Sequence, residues 1–261
     1  MPDSTKQARP SKKSTVIKAL LVAGVVVAVI GFWEGIVTVL HVAPYVAPGP
    51  VAVAKGLAGN WALIFSNLEA TALEAVTGFA VGTVLAVGLG LLFLYVKTLR
   101  DGLFPLAIGI STVPLVAVAP ILVLIFGQGF LSKVVMTAMI SFFPTLVNVG
   151  KGLESVDDDM LDLFHVLSAS RRQLLLKVRV HAAQPYFFAA LRITATASVI
   201  GAIIAEWVGS ERGLGFLIIQ ETFNFDAILL WGVMFVSAAL ASVFYLGITG
   251  IEKLATRYRV Q

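Results

Sequence analysis

Groups able to do chemistry are few in this chain and poorly spaced for it. Its three histidines stand at positions 41, 165 and 181, too scattered for a metal-ligand set. No serine, carboxylate or histidine grouping has the arrangement of a nucleophile with its base. Cysteine is absent, which excludes disulfides and thiol chemistry. Gly150-Lys151-Gly152 lacks the Gly-Lys-Ser/Thr ending of a phosphate-binding loop, so the chain is not expected to hydrolyse ATP by itself. No catalytic residue, no metal and no cofactor on this chain follows as the expectation. Residue types and spacing do converge between Glu154 and Pro185, the one long polar interruption between apolar runs. There Met160, Leu161, Leu163, Phe164, Val166 and Leu167 form one helical stripe, and Asp157, Asp158, Asp159, Asp162 and His165 the other face. Ser155 with Asp158 reads as an N-cap with acidic residues at the positive end of the helix dipole. A break is expected near Ser168-Ala169-Ser170. A second helix then starts with Ser170 as cap and Gln173 three residues on, a capping box, and carries Arg171, Arg172, Lys177 and Arg179. Pro185 is expected to mark the return to the next apolar run. Two short helices on a tight turn make a rigid knob, suited either to a groove in a partner or to resting on lipid headgroups.

The elements that carry this knob are set by hydropathy. Of 261 residues, 58% are hydrophobic and 13% charged, against about 25% charged in a soluble domain. Apolar runs near the ~20 residues of a spanning helix recur along the chain. The fold class is therefore all-α, a polytopic membrane protein with about six transmembrane helices and a cytoplasmic hairpin. The expected spans are 16–40, 69–96, 103–127, 131–150, 186–208 and 227–250. Residues 1–15 read as a polar, basic, disordered tail, residues 16–250 as the transmembrane domain with its loop at 151–185, and residues 251–261 as a second tail. The apolar stretch Val16–Leu40 exceeds the 7–15 residues of a signal-peptide core and reads as a retained span. Pro44, Gly49 and Pro50 mark a loop leading to a short helix. With both termini cytoplasmic, only Lys55, Lys133 and Arg212 of the 19 lysines and arginines fall outside. The net charge of +4 is explained by this orientation and not by nucleic acid. Trp33, Trp61, Trp207 and Trp231 fall near outer ends, the aromatic-belt position.

Polar residues within the spans are candidates for a solute pathway or for packing between helices. They are Ser111, Thr112, Ser141, Thr145 and Asn148 in the third and fourth spans, and Thr194, Thr196 and Ser198 in the fifth. Pro114, Pro120 and Pro144 interrupt helical hydrogen bonding. Gly78 and Gly82, with Gly88 and Gly90, suit close helix contact. Glu34, Glu69 and Glu74 are expected at the outer interface in water, and Lys133 as an interfacial anchor. Glu206 precedes a glycine-rich turn and either pairs with Arg212 to hold an outer gate or faces water.

The hairpin resembles the EAA loop of ABC-importer permeases, whose pattern is Glu-Ala-Ala, three residues, Gly, then nine residues to Ile-x-Leu-Pro. This chain offers Asp162-Leu163-Phe164, Ser168 and Val178-Arg179-Val180-His181, with Asp for Glu, Ser for Gly and His for Pro. Around them, Leu167-Ser168-Ala169-Ser170-Arg171-Arg172-Gln173 is similar to Leu-Gly-Ala-Ser-Arg-Trp-Gln. Ala182-Ala183-Gln184-Pro185 and Ala190-Leu191-Arg192 also match the family wording. Val113 to Pro120, Phe126-Gly127-Gln128-Gly129, Phe142-Phe143-Pro144 with Asn148, Glu206-Trp207-Val208-Gly209 and Arg212-Gly213-Leu214-Gly215 resemble the nitrate/sulfonate/taurine-type permeases. The resemblance runs over roughly residues 60 to 250, and within the group it is most similar to the branch for thiamine-pyrimidine precursors. It implies a type I importer permease of the bacterial inner membrane, with no catalysis of its own. It further implies a permease pair, cytoplasmic ABC ATPase subunits using ATP-Mg, an external solute-binding protein, and Asp162 to Arg171 as the ATPase-coupling loop. Glycine at position 168 would tolerate a left-handed backbone more readily than serine, and His181 lets the second helix continue further. A secondary transporter or channel independent of an ATPase is the alternative from the residues alone, although no inverted repeat is visible.

Overall fold

The computed structural model describes residues 12–256, with side chains described for residues 20, 21 and 23–256. Its elements are helices: α1 (Lys12–Val39), α2 (Pro50–Gly59), α3 (Trp61–Tyr95), α4 (Lys97–Ser111), α5 (Leu115–Phe126) and α6 (Phe130–Glu154). There follow α7 (Asp158–Val166), α8 (Arg171–Leu174), a π turn (Leu175–Arg179), α9 (Val180–Glu206), α10 (Leu214–Phe223) and α11 (Ala227–Thr256). The all-α expectation holds. Among the described residues four helices are long and apolar enough to cross a membrane: Trp61–Tyr95, Phe130–Glu154, Arg171–Glu206 and Ala227–Thr256. A fifth span results if α4 and α5 count as one bent unit. The expected first span falls on α1, whose apolar described part is Ala23–Val39, so the spans counted among the described residues are four or five.

Two expected boundaries move for physical reasons. The span placed at 103–127 is two helices that meet at 103°. Pro114 has no N–H to continue the first helix, and it disfavours helical geometry in Val113, so the ladder ends at Ser111 and restarts after Pro114. The basic helix and the fifth span, by contrast, are one rod of 36 residues, Arg171–Glu206. Pro185 sits inside it rather than at its start. Residues 12–15, expected in the disordered tail, already belong to α1; residues 1–11 and 257–261 lie outside the described residues.

Small residues set how closely the rods pack. Gly78, Gly82, Ala86 and Gly90 recur every four positions on α3, which puts them on one face of the helix. A Cβ on Gly78 would come within 2.9 Å of the Val134 carbonyl, and one on Gly82 would collide with the Ala138 carbonyl, both on α6. Gly90 meets Val149 of α6 in the same way, whereas Gly88 faces open space and takes no part. On the other side of α6, Gly152 lies against Ala183 and Tyr186 of α9, and Gly201 of α9 against Ile140. In lipid, where apolar surface gives little drive for association, such close approach is what holds helices together. The α3–α6–α9 bundle therefore forms the frame, and α11 packs on it through Phe244, whose ring is 4.9 Å from that of Phe79 on α3, beside Phe188 and Leu191 of α9. Trp33 and Trp231 stack at 5.2 Å, which brings the end of α1 beside the start of α11, as expected of an aromatic belt at one membrane face.

Candidate functional site

At the hairpin end the chain builds its turn from local hydrogen bonds. Helix α7 stops at Ser168, where φ is +52°. Ala169 N–H donates to the Phe164 carbonyl at 3.0 Å and Ser168 N–H to the His165 carbonyl at 2.9 Å. These two bonds are the Schellman arrangement, which requires a left-handed residue at that point and favours glycine. Serine holds it here, which explains why glycine is the expected residue of the resemblance. The next helix begins with the anticipated capping box. Gln173 N–H donates to Ser170 Oγ at 3.3 Å, and Ser170 N–H donates to Gln173 Oε1 at 2.8 Å. Ser155 is not the cap of α7: Asp157 occupies that position, and Ser155 Oγ donates back to the Gly152 carbonyl at the end of α6. Arg179 donates to the Leu153 carbonyl at 2.7 Å, tying the π turn to α6, and Arg100 pairs with Glu154 beside it. Of the expected loop residues, Asp162, Leu163, Ser168, Ser170 and Arg171 are exposed and Phe164 and Ala169 half-buried, while Pro185 stands well up α9. Leu163, Val166 and Leu167 give the knob an exposed apolar surface.

The opposite end of the same rod is built the other way. Glu206 is 1% exposed. Its carboxylate accepts from Thr71 Oγ1 at 2.6 Å and from the N–H of Gly215 in the first turn of α10. Leu214 N–H donates to Thr71 Oγ1 at 2.7 Å, and Gly213 N–H to Asn67 Oδ1 at 2.8 Å. The free amides at the N-terminus of α10 thus receive one carboxylate, one hydroxyl and one amide, all from other helices. Gly213 has φ +120°, and a Cβ there would overlap the Glu206 carboxyl, while one on Gly215 would lie 2.8 Å from Glu206 Oε2. The two glycines of Arg212-Gly213-Leu214-Gly215 therefore make room for the carboxylate supplied by Glu206-Trp207-Val208-Gly209. Glu206 is neither exposed to water nor ion-paired with the exposed Arg212. Glu74 and Lys133 were expected at the aqueous interface; both are buried, and Lys133 Nζ lies 3.5 Å from Glu74 Oε1. Glu34 accepts from Val51 N–H at the start of α2 at 3.2 Å, and Glu69 is exposed as expected.

The remaining polar candidates separate into two groups. Ser111 and Asn148 line a groove of about 650 Å³ between the α4–α5 break and α6, with Thr112 exposed at the break itself. Thr194 and Ser198 are buried between helices, and their hydroxyls donate to carbonyls of their own helix at 3.0 Å and 2.9 Å. Ser141 and Thr145 are buried on α6 as well, and Thr196 donates to its own helix. Asn67 and Thr71 were not singled out from the sequence. A signal existed: Asn67, Thr71 and Glu74 lead directly into the Gly78, Gly82 face at helical spacing, a polar stripe in an otherwise apolar helix. Among the described residues no group of histidines and carboxylates could hold a metal ion.

Apolar helices of membrane-spanning length joined by a capped polar hairpin define an all-α membrane protein. The chain belongs to the family of binding-protein-dependent transport system inner membrane components, which matches residues 78–257. It is 32% identical over 236 residues to a probable ABC transporter permease protein of Haemophilus influenzae, covering 90% of this chain and 95% of that one. It is 32% identical over 217 residues to the formylaminopyrimidine transport permease protein ThiX of Halalkalibacterium halodurans, covering 83% and 87%. It is 30% identical over 209 residues to the putative aliphatic sulfonates transport permease protein SsuC of Bacillus subtilis, covering 78% and 74%. The chain is thus a multi-pass inner-membrane permease subunit of an ABC importer for a small solute. Membership of the family implies an ATPase and a solute-binding protein as partners.

Proposed function

We propose that the Arg171–Glu206 helix is the lever of this importer, with the ATPase gripping its hairpin end and the solute gate at its Glu206 end. A 36-residue helix is about 54 Å long, well beyond the ~30 Å of the hydrocarbon core. One rod therefore reaches from the hairpin to the cap of α10. This continuity carries the reading, because a displacement of the knob formed by Asp162, Leu163, Phe164, Ser168, Ala169, Ser170 and Arg171 passes to Glu206 along one helical rod, unbroken through its π turn and Pro185. The exposed Leu163, Val166 and Leu167 supply the apolar contact that a groove in the ATPase covers. ATP-Mg is consumed in that partner. Excess lysine and arginine on the hairpin side supports a cytoplasmic position for it and for both termini.

The groove holding Ser111 and Asn148, with Thr112 exposed beside it, is open on one side, and a second permease subunit of the same kind closes it into a pathway. Thr194 and Ser198 serve packing, since their hydroxyls are already bonded within α9. The solute class that best fits the relatives is a small heterocycle of the aminopyrimidine type, with sulfonates and nitrate as neighbouring chemistries.

The test replaces Ala169 by tryptophan in the intact importer. Solute uptake and solute-stimulated ATP hydrolysis fall at least tenfold, while the melting temperature of the permease itself is unchanged. Normal uptake by Ala169→Trp would remove the coupling role from the hairpin.

A further inference from the structure

Three cations converge where α3 gives way to α4, on a surface that the Glu206 network does not use and that meets the knob only at Arg171. Tyr95 closes the apolar run of α3 and Lys97 opens α4. Arg171 and Arg179 approach from the lever, and together with Leu174 and Leu175 these residues line a concave pocket of about 370 Å³. No carboxylate lines it. Neither Lys97 nor Arg171 forms an ion pair among the described residues. Like charges around one hollow repel one another, and no carboxylate stands in its lining to offset that repulsion. Arg179 is the last residue of the π turn, an irregularity of the kind that recurs at functional sites. Its bond to the Leu153 carbonyl holds the guanidinium in place beside the hollow.

We propose that this pocket binds the phosphodiester headgroup of an anionic membrane lipid, of the phosphatidylglycerol or cardiolipin kind. Depth favours a lipid over a soluble partner. Lys97 stands two residues beyond the end of an apolar spanning helix, the level of the headgroups, and Tyr95 is an interfacial residue type. The acyl chains then run along α3, where Leu92 is exposed. Basic pockets between spanning helices take lipid headgroups for this reason: guanidinium and ammonium groups pair with phosphate while the apolar walls remain in the membrane. The proposal rests on the chain spanning a membrane and not on the coupling role of the hairpin or on which leaflet is involved.

Native mass spectrometry of the full chain, loaded from vesicles of phosphatidylglycerol or phosphatidylcholine with identical acyl chains, tests it. Phosphatidylglycerol is retained at least tenfold more tightly than phosphatidylcholine, and the preference weakens as salt is raised. The Lys97→Gln/Arg171→Gln variant loses the preference at least tenfold. Lys55→Gln, at a cation outside the pocket, keeps it. Lys97→Gln alone, a change at an exposed side chain, loses it several-fold and carries the test if the double variant does not fold. Equal retention of the two lipids overturns the proposal, and so does an unchanged preference in the variants. Displacement of the lipid by inorganic phosphate at equal concentration assigns the pocket to a free anion instead. Weakened ATPase binding by Lys97→Gln with lipid retention intact assigns it to the protein partner. Either result also overturns it. A failed Ala169→Trp experiment leaves all of these readings untouched, so the two claims fail separately.

Discussion

The two ends of the lever are secured by opposite means. At the hairpin end, every bond that shapes the turn joins residues no more than five positions apart, from Ala169 to Phe164 and from Gln173 to Ser170, and most of the side chains are exposed. At the Glu206 end, three of the four bonds span 135, 143 and 146 positions and the groups are buried. A locally closed turn can be pressed and released by a partner without disturbing the fold, because its bonds move with it. A buried carboxyl held by two other helices, α3 and α10, cannot shift without uncovering unpaired donors, so it is either engaged or released. That difference suits a part that receives force and a part that switches.

The contrast can be broken most severely at Glu206. Glu206→Ala strands the buried Gly215 amide and removes the shorter of the bonds that Thr71 Oγ1 donates, and a loss of about 1 to 3 kcal/mol is expected. It is read as a lowered melting temperature of the whole chain in detergent, with Glu206→Gln falling between it and the parent. A melting temperature unchanged by Glu206→Ala would show that the outer network is not a structural unit. A smaller effect is expected at Ser170. Ser170→Ala removes a cap and one half of a capping box, worth about 1 kcal/mol. Faster amide hydrogen exchange at Gln173 and Leu174 detects it, while global melting stays put; a global change would make the hairpin part of the core after all. The smallest effect has the opposite sign. Ser168→Gly relieves a left-handed serine, worth about 1–2 kcal/mol, and loosens the unfolded chain by about 0.4–1 kcal/mol. The expected net gain is roughly half to one kcal/mol, seen as slower exchange of the Ala169 amide. A loss of protection would mean that the serine side chain contributes something the turn geometry does not explain.

Much of the hairpin was legible in the sequence, because caps and turns are decided by neighbours. The Ser170–Gln173 box follows from two residues three apart, and the break at Ser168 from the residues around it. The α3 face was partly legible: Gly78 and Gly82 contact α6 as their spacing suggests, but Gly88 points elsewhere, since only every fourth position keeps the same face. In the third span Pro114 is legible as an interruption, but apolar composition on both sides makes 103–127 read as one span, and the 103° turn at the break is not legible. Pro185 misled in the other direction. A proline reads as a boundary, yet the surrounding rod accommodates it, as spanning helices can when neighbours re-satisfy the freed backbone.

From the sequence alone came the membrane, the helical class, the hairpin and the family resemblance, all of which depend on composition, on periods of a few residues or on short ordered motifs. Only the tertiary structure decided what Glu206, Glu74 and Lys133 do. A carboxylate near a glycine-rich turn can face water, pair with Arg212 or enter a helix terminus, and residues near it in sequence do not distinguish these. The choice was made by Asn67 and Thr71, more than 130 positions away, which meet α10 because small residues on α3 let the long helices come together.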